Sequence, residues 1–147
     1  MSLFRSTDKQ REYAIALLRI VVGVLFVAHG GQKLFVYGIE GTTGAFSQMG
    51  IFLPGIMAPL ISLLEFFGGM ALIAGFLTRL AGLGLAFNML GAIAFVHLKG
   101  GFFMPTGYEF ALTLLVASLG FAIAGAGAFS VDSVLANRRT LRPARAR

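Results

Sequence analysis

The sequence predicts an all-α fold, an integral membrane bundle of four helices, and two observations carry this prediction. Hydrophobic residues make up 57% of the 147 residues and charged residues only 12%, whereas a soluble domain carries about 25% charged residues. Four apolar segments also approach the roughly 20 residues that a helix needs to cross a hydrocarbon core. Because unpaired backbone groups are too costly in lipid, these segments should be helical.

The chain is expected to form a single transmembrane domain over residues 1–147. A short turn in "LTRLAG" joins the second and third predicted spans, so these two should form an antiparallel hairpin. The four predicted spans are about residues 13–35, 56–77, 80–98 and 108–128.

Basic residues indicate the orientation of the bundle. Arg5, Lys9 and Arg11 precede the first span, Arg79 lies in the short turn, and residues 133–147 form a tail with five arginines. Because basic loops stay on the cytoplasmic side, both termini are expected in the cytoplasm. The tail suits anionic lipid. Since the positive charge is concentrated at the chain ends, a nucleic-acid partner is not expected.

The longest external connection, residues 36–55, is predicted to contain a short helix. Thr42 or Thr43 would cap its start and Gly50 would end it. With apolar residues on one face, this segment would be an interfacial helix or a lid over the bundle.

Polar residues inside the spans are the candidate binding site. Ionisable groups in membrane helices are costly and usually face the bundle interior. At 1.5 Å per residue, Glu65 lies about 21 Å above the inner boundary and His29 about 25 Å. Arg19 and Asn88 lie lower. The candidate ligand-binding residues are His29, Lys33, Glu65, Arg19, Glu109 and Asn88.

Helical spacing places some of these residues on shared faces. At about 100° per residue, Arg19, His29 and Lys33 form one polar stripe on the first span. Asn88 and His97 fall on opposite sides of the third span, which argues against a shared site.

The same polar residues also have purely structural explanations. Lysines near span ends can snorkel to the headgroups, and Glu109 suits the start of the fourth helix. Arg19 could bond to carbonyls and Asn88. Glu65 could pair with His29 or Lys33 and only fix the helix packing.

The residue types narrow the cofactors but assign no catalytic residue. The absence of cysteine excludes thiolate metal sites and thiol redox chemistry in this chain. His29 and His97 at similar depth would suit a haem iron, but the helical angle of His97 disfavours it. No ligand-spacing motif supports a metal site. A quinone-like or other amphiphilic ligand fits better, because it needs an apolar slot with a few polar groups at one end. A His–Glu pair there could bond to or protonate its carbonyls.

Six motifs spread over residues 13–132 form a combined pattern. They are Arg19 with Gly23, "HGGQKLF" at 29–35, "GIFLP" at 50–54, "EFFGGMALIAGFLTRLAG" at 65–82, Asn88 with Met89, and "GAGAFSVD" at 125–132. This pattern resembles the DoxX family of small bacterial four-helix membrane proteins. The resemblance implies a bundle in the bacterial inner membrane. Some members are similar to subunits of thiosulfate:quinone oxidoreductase. The residues carried over by the resemblance are Arg19, His29, Lys33, Glu65 and Arg79.

The leading hypothesis is a membrane subunit of a redox complex that binds a quinone-like or other small amphiphilic molecule. The pocket would open toward the periplasm between the first, second and fourth spans, with Glu65 and His29 as polar contacts and Lys33 as an electrostatic partner. The electron donor would lie on another protein, so a partner subunit is expected, or further copies of this chain. A non-enzymatic scaffold or assembly partner and a small-solute transporter are the alternatives.

Overall fold

The computed structural model describes residues 6–140, which form helices joined by loops and contain no strand. Residues 141–147 of the predicted basic tail, and Arg5, lie outside this range. The described α-helices are α1 (Asp8–Gly31), α2 (Gly38–Gln48), α3 (Pro54–Ala74), α4 (Thr78–Ala92), α5 (Glu109–Ala124) and α6 (Val131–Thr140). Two extensions continue α1 and α4: a π-helical turn at Gln32–Val36 after α1, and a π turn at Ile93–His97 with a 3₁₀ turn at Leu98–Gly100 after α4.

Three of these helical stretches are long and apolar enough to cross a membrane: Asp8–Val36, Pro54–Ala74 and Thr78–Gly100. They correspond to the first three predicted spans, which confirms an all-helical membrane bundle at this level. The fourth, α5, is apolar but has 16 residues. It ends at Ala124 rather than near residue 128, because Gly125 has a φ of +85° and leaves the helical conformation.

The turn between α3 and α4 forms the expected antiparallel hairpin. Gly75 ends α3 with a φ of +68°, which favours glycine. The Asp132 carboxylate, at the start of α6, accepts hydrogen bonds from the backbone N–H groups of Leu77 (2.8 Å) and Thr78 (3.0 Å). An acid at this position satisfies two of the unpaired donors at the start of α4.

Glycines allow two helix pairs to approach closely, as is common in membrane bundles. Helix α1 packs most extensively on α3, and α4 on α5. A Cβ atom on Gly30 would lie 2.5 Å from the backbone nitrogen of Phe66, and one on Gly82 would lie 2.7 Å from the Ser118 carbonyl oxygen. The hairpin then joins α3 to α4, so the bundle consists of two tightly packed pairs joined side by side.

Helix α2 begins earlier than its sequence predicts. It starts at Gly38, whose φ of +69° lets the chain turn. The prediction that Thr42 or Thr43 caps the helix is wrong. The Thr42 hydroxyl instead lies within hydrogen-bonding distance of the carbonyl oxygens of Lys33 (3.1 Å) and Gly38 (2.9 Å). Gly50 follows the end of the helix with a φ of +74°, as predicted.

Candidate functional site

Glu65 is a buried acid in the middle of α3, with 4% of its surface exposed. Lys33, in the extension of α1, forms an ion pair with its Oε2 atom. Asn88, in α4, donates a hydrogen bond of 2.8 Å from Nδ2 to Oε1. Both carboxylate oxygens therefore have a partner, and the acid joins three helical segments.

This pairing makes the buried charge tolerable. An ionised carboxylate without a partner in a membrane interior is expensive, whereas a paired and hydrogen-bonded one can be accommodated. The Lys33 side chain remains 22% exposed. An ammonium carries three N–H donors, and within residues 6–140 Glu65 is the one hydrogen-bond acceptor of this group. Two of the three donors therefore have no acceptor among these residues.

A cavity of about 440 Å³ lies beside the ion pair. Its lining is predominantly apolar and comes from five helices, for example Phe26 of α1, Phe46 of α2, Leu64 of α3, Met89 of α4 and Leu114 of α5. Its polar lining consists of His29, Lys33, Glu65, Asn88 and His97. The cavity is therefore an apolar space with a few polar groups, which is the usual composition of a small-molecule site.

The predicted pocket between the first, second and fourth spans omitted the third. Helix α4 and its extension in fact contribute much of the lining, including Gly84, Phe87, Asn88 and Phe95. No signal in the sequence distinguished the cavity-facing glycines and phenylalanines from the others.

His29 lines the same cavity but does not pair with Glu65. Within residues 6–140 no hydrogen bond joins the two side chains, and the carboxylate oxygens instead bond to Lys33 and Asn88. The exposed His29 ring instead lies 6.2 Å from the ring of Phe110 on α5. Of the two partners considered for Glu65, the structure selects Lys33.

His97 also lines the cavity, although a regular helix would place it opposite Asn88. The π turn at Ile93–His97 explains the difference, since the wider turn shifts the side chains that follow around the helix axis. The Nδ1 atom of His97 lies 3.3 Å from the carbonyl oxygen of Thr106 in the next loop.

Arg19 and Glu109 are not brought to this cavity. Arg19, 2% exposed, donates from Nη2 to the Phe129 carbonyl oxygen at 2.7 Å, and it does not bond to Asn88, whose amide is directed to Glu65. Glu109 is the first residue of α5, and its Oε1 atom accepts from the backbone N–H of Met104 at 2.8 Å. Four of the six candidate residues therefore line the cavity, and these two hold loops.

A second cavity of about 490 Å³ lies at the opposite end, beside the turn between α3 and α4. Its lining includes Thr78, Arg79 and Asp132. Both Asp132 oxygens are already bonded to the start of α4, so this end of the bundle is organised around a helix cap. Among the described residues, no three His, Asp or Glu side chains are grouped so that they could hold a metal ion.

Comparisons with known proteins agree with this architecture. The DoxX family model matches residues 14–98, a range that contains Lys33, Glu65 and Asn88. "Putative oxidoreductase CatD" of Bacillus subtilis is 35% identical over 125 residues, which cover 85% of this chain and 89% of the relative. "Inner membrane protein YqjF" of Escherichia coli is 37% identical over 131 residues, covering 86% of this chain and 95% of the relative.

An uncharacterized membrane protein of Mycobacterium tuberculosis is 30% identical over 138 residues, covering 86% of this chain and 84% of the relative. No solved structure matches the chain. The family match spans more than half of the sequence and these relatives cover most of it, so the chain belongs to the DoxX family.

Proposed function

We propose that this protein binds a quinone-like or other amphiphilic small molecule in the cavity beside Glu65, as a membrane subunit of a redox complex. The observation that carries the proposal is the apolar cavity of about 440 Å³ with the Lys33–Glu65 ion pair at its polar end. An apolar site with a few convergent polar groups favours a ligand of the same character.

The residues of the polar end suit a ligand that carries carbonyl oxygens. The free N–H donors of Lys33 can bond to such an oxygen, while Asn88 keeps Glu65 in place. An ammonium and a carboxylate beside a bound carbonyl can also deliver and accept protons. A quinone would supply two-electron redox chemistry when bound. Because the chain contains no cysteine, we place the electron donor on a partner protein.

The names of two relatives support a redox role in the inner membrane. The Bacillus relative is described as an oxidoreductase, marked putative, and the Escherichia relative as an inner membrane protein. We extend both descriptions to this chain as part of the proposal.

The basic residues support a bundle with both termini in the cytoplasm. Arg79, which lies in the first turn of α4 rather than in the loop before it, and Arg138 in α6 are exposed, and basic residues favour the cytoplasmic side. Glu65 lies fourteen residues before Arg79 in the sequence, about 21 Å along a helix. In this orientation the cavity lies in the outer half of the bundle, and α2 packs on α3 near it as a candidate lid.

A scaffold without a ligand is the main alternative, because the same ion pair would also lock α1 to α3. Two variants separate the readings: Glu65→Gln, and the double substitution Lys33→Met with Glu65→Met. The double variant removes both charges, and replacing a buried ion pair by apolar residues is often neutral for stability. Glu109→Gln is the matched control, since that acid lies outside the cavity lining.

The measurement is binding of a decyl-tailed benzoquinone to the protein in lipid nanodiscs, together with thermal stability. The expected result is binding by the wild type and by Glu109→Gln, and loss of binding in both site variants. The double variant should lose less stability than Glu65→Gln, which leaves the Lys33 charge without its partner. A wild type that binds no quinone, with Glu65→Gln changing only stability, would favour the scaffold.

A further inference from the structure

The cavity beside Glu65 is exposed along its border between α3 and α4. Leu60 of α3 and Phe87 and Phe95 of α4 and its extension line the cavity, yet they are 55%, 70% and 55% exposed. In helices that cross a membrane, exposed apolar side chains face lipid. This side of the cavity is therefore continuous with the hydrocarbon phase.

The two helices touch near their hairpin and separate beyond it. Toward the hairpin, a Cβ atom on Gly84 would lie 3.1 Å from Leu64 and one on Gly68 would lie 3.3 Å from Leu85. The hydrogen bond from Asn88 to Glu65 is the next link. One turn further along α4, a Cβ atom on Gly91 would meet no atom within 4 Å, although Gly91 lines the cavity.

Other helix pairs of the bundle pack through glycine and ring contacts within residues 6–140. Backbone contacts at Gly30 hold α1 against α3, and those at Gly82 hold α4 against α5. The rings of His29 and Phe110 lie 6.2 Å apart between α1 and α5, and both of these lining side chains are exposed. Phe46 of α2, 7% exposed, covers the cavity from a fourth side.

The volume of the cavity limits what can lie inside it. About 440 Å³ is near the lower end of the roughly 300–1,000 Å³ typical of small-molecule sites. A ring-sized head fits, whereas a long apolar tail needs an exit. An apolar tail that extends from the cavity into the lipid remains out of contact with water, so it keeps its hydrophobic stabilisation.

From these observations we propose that the site takes a ligand with a single ring head and an apolar tail, and that the tail leaves the bundle between α3 and α4, past Gly91, into the lipid. The ring head, with an oxygen acceptor, would lie against Lys33 and Glu65. This inference rests on the proposed function and specifies the ligand class and its route.

The test replaces Gly91 by leucine, with Gly120→Leu as the matched control. Both glycines lie within helices and both have no atom within 4 Å of an added Cβ, but Gly120 is on α5 and does not line the cavity. The probes are a decyl-tailed benzoquinone and the same ring without the tail. The dissociation constants are measured in lipid nanodiscs, with thermal stability as a check on folding.

We expect Gly91→Leu to weaken binding of the tailed quinone by about tenfold or more and to bind the tail-less quinone with close to wild-type affinity. The control variant Gly120→Leu should bind both probes with wild-type affinity. Unchanged affinity of Gly91→Leu for the tailed quinone would overturn the route. Equal weakening for both probes would also overturn it, because the leucine would then obstruct the head. If the wild type binds neither probe and Glu65→Gln makes no difference, the proposed function itself fails.

Discussion

Lys33, in the extension of α1, forms an ion pair with Glu65 in the middle of α3, 32 residues further along the chain. The pair links two helices that already pack closely through glycine contacts, and it leaves part of the Lys33 ammonium free beside the cavity. A single contact thus links α1 to α3 and also borders the cavity, so its effects on stability and on binding have to be measured separately.

Asn88→Leu should destabilise the protein by about 1.5–3 kcal/mol, the usual value of a hydrogen bond to a charged group. The substitution removes the 2.8 Å bond from Asn88 to Oε1 of Glu65 and leaves that buried oxygen without a donor. Unfolding in detergent micelles measures the effect. Thr113→Val is the control, since the Thr113 hydroxyl bonds a helix carbonyl at an exposed position. Equal stability of the Asn88 variant and the control would show that Glu65 does not need this donor.

Gly30→Ala should loosen the packing of α1 on α3. The new methyl group would lie 2.5 Å from the backbone nitrogen of Phe66, and overpacking of this kind costs about 1–3 kcal/mol. Gly120→Ala, with no atom within 4 Å, should instead be neutral or slightly stabilising, because alanine is the better helix former. Thermal unfolding gives the melting temperature of each variant. A melting temperature of Gly30→Ala at or above that of Gly120→Ala would contradict the prediction.

Gly75→Ala should destabilise the turn between α3 and α4 more than Gly50→Ala destabilises the end of α2. Both glycines have a positive φ, +68° and +74°, so both variants carry the left-handed penalty of about 1–2 kcal/mol. Only Gly75 has the buried Arg19 guanidinium against it, with Nη1 1.6 Å from the position of an added Cβ. The Cβ atom of Ser130 also lies 2.5 Å from the added Cβ. The difference between the two melting temperatures therefore measures the contacts with Arg19 and Ser130 together, and equal losses would show that both neighbours move aside freely.

Single cysteines should report the orientation, because the chain has no native cysteine. Gly44→Cys lies at an exposed position of α2 with no neighbouring atom within 4 Å, and Arg138→Cys lies at an exposed position of α6. In intact spheroplasts, a membrane-impermeant maleimide should label Gly44→Cys. It should label Arg138→Cys only after permeabilisation, because basic segments remain cytoplasmic. The reverse pattern would invert the proposed orientation.

The elements that the sequence predicted well depend on local chemistry. The apolar runs located the helices, and Gly50 follows the end of α2 with a positive φ, as predicted. The end of α3 at Ala74 was not predicted, because the apolar run continues past Gly75, whose positive φ stops the helix. Predictions that assumed a regular helix were less accurate. The position of His97 was displaced by a π turn, and the Thr42 hydroxyl bonds backward to carbonyls rather than forward to a helix start.

The composition and the length of the apolar runs are sufficient to predict a helical membrane bundle with an acid, Glu65, inside its second span. The physical reason is that a backbone in lipid must satisfy its own hydrogen bonds. The packing of the helices is needed to see that Glu65 bonds to Lys33 and Asn88 rather than to His29, and that an apolar cavity lies beside them. Asn88 and Lys33 lie 23 and 32 positions from Glu65 in the sequence. Their bonds to Glu65 depend on how the helices pack and on the π turn that contains Lys33. Neither can be derived from the 3.6-residue period of a regular helix.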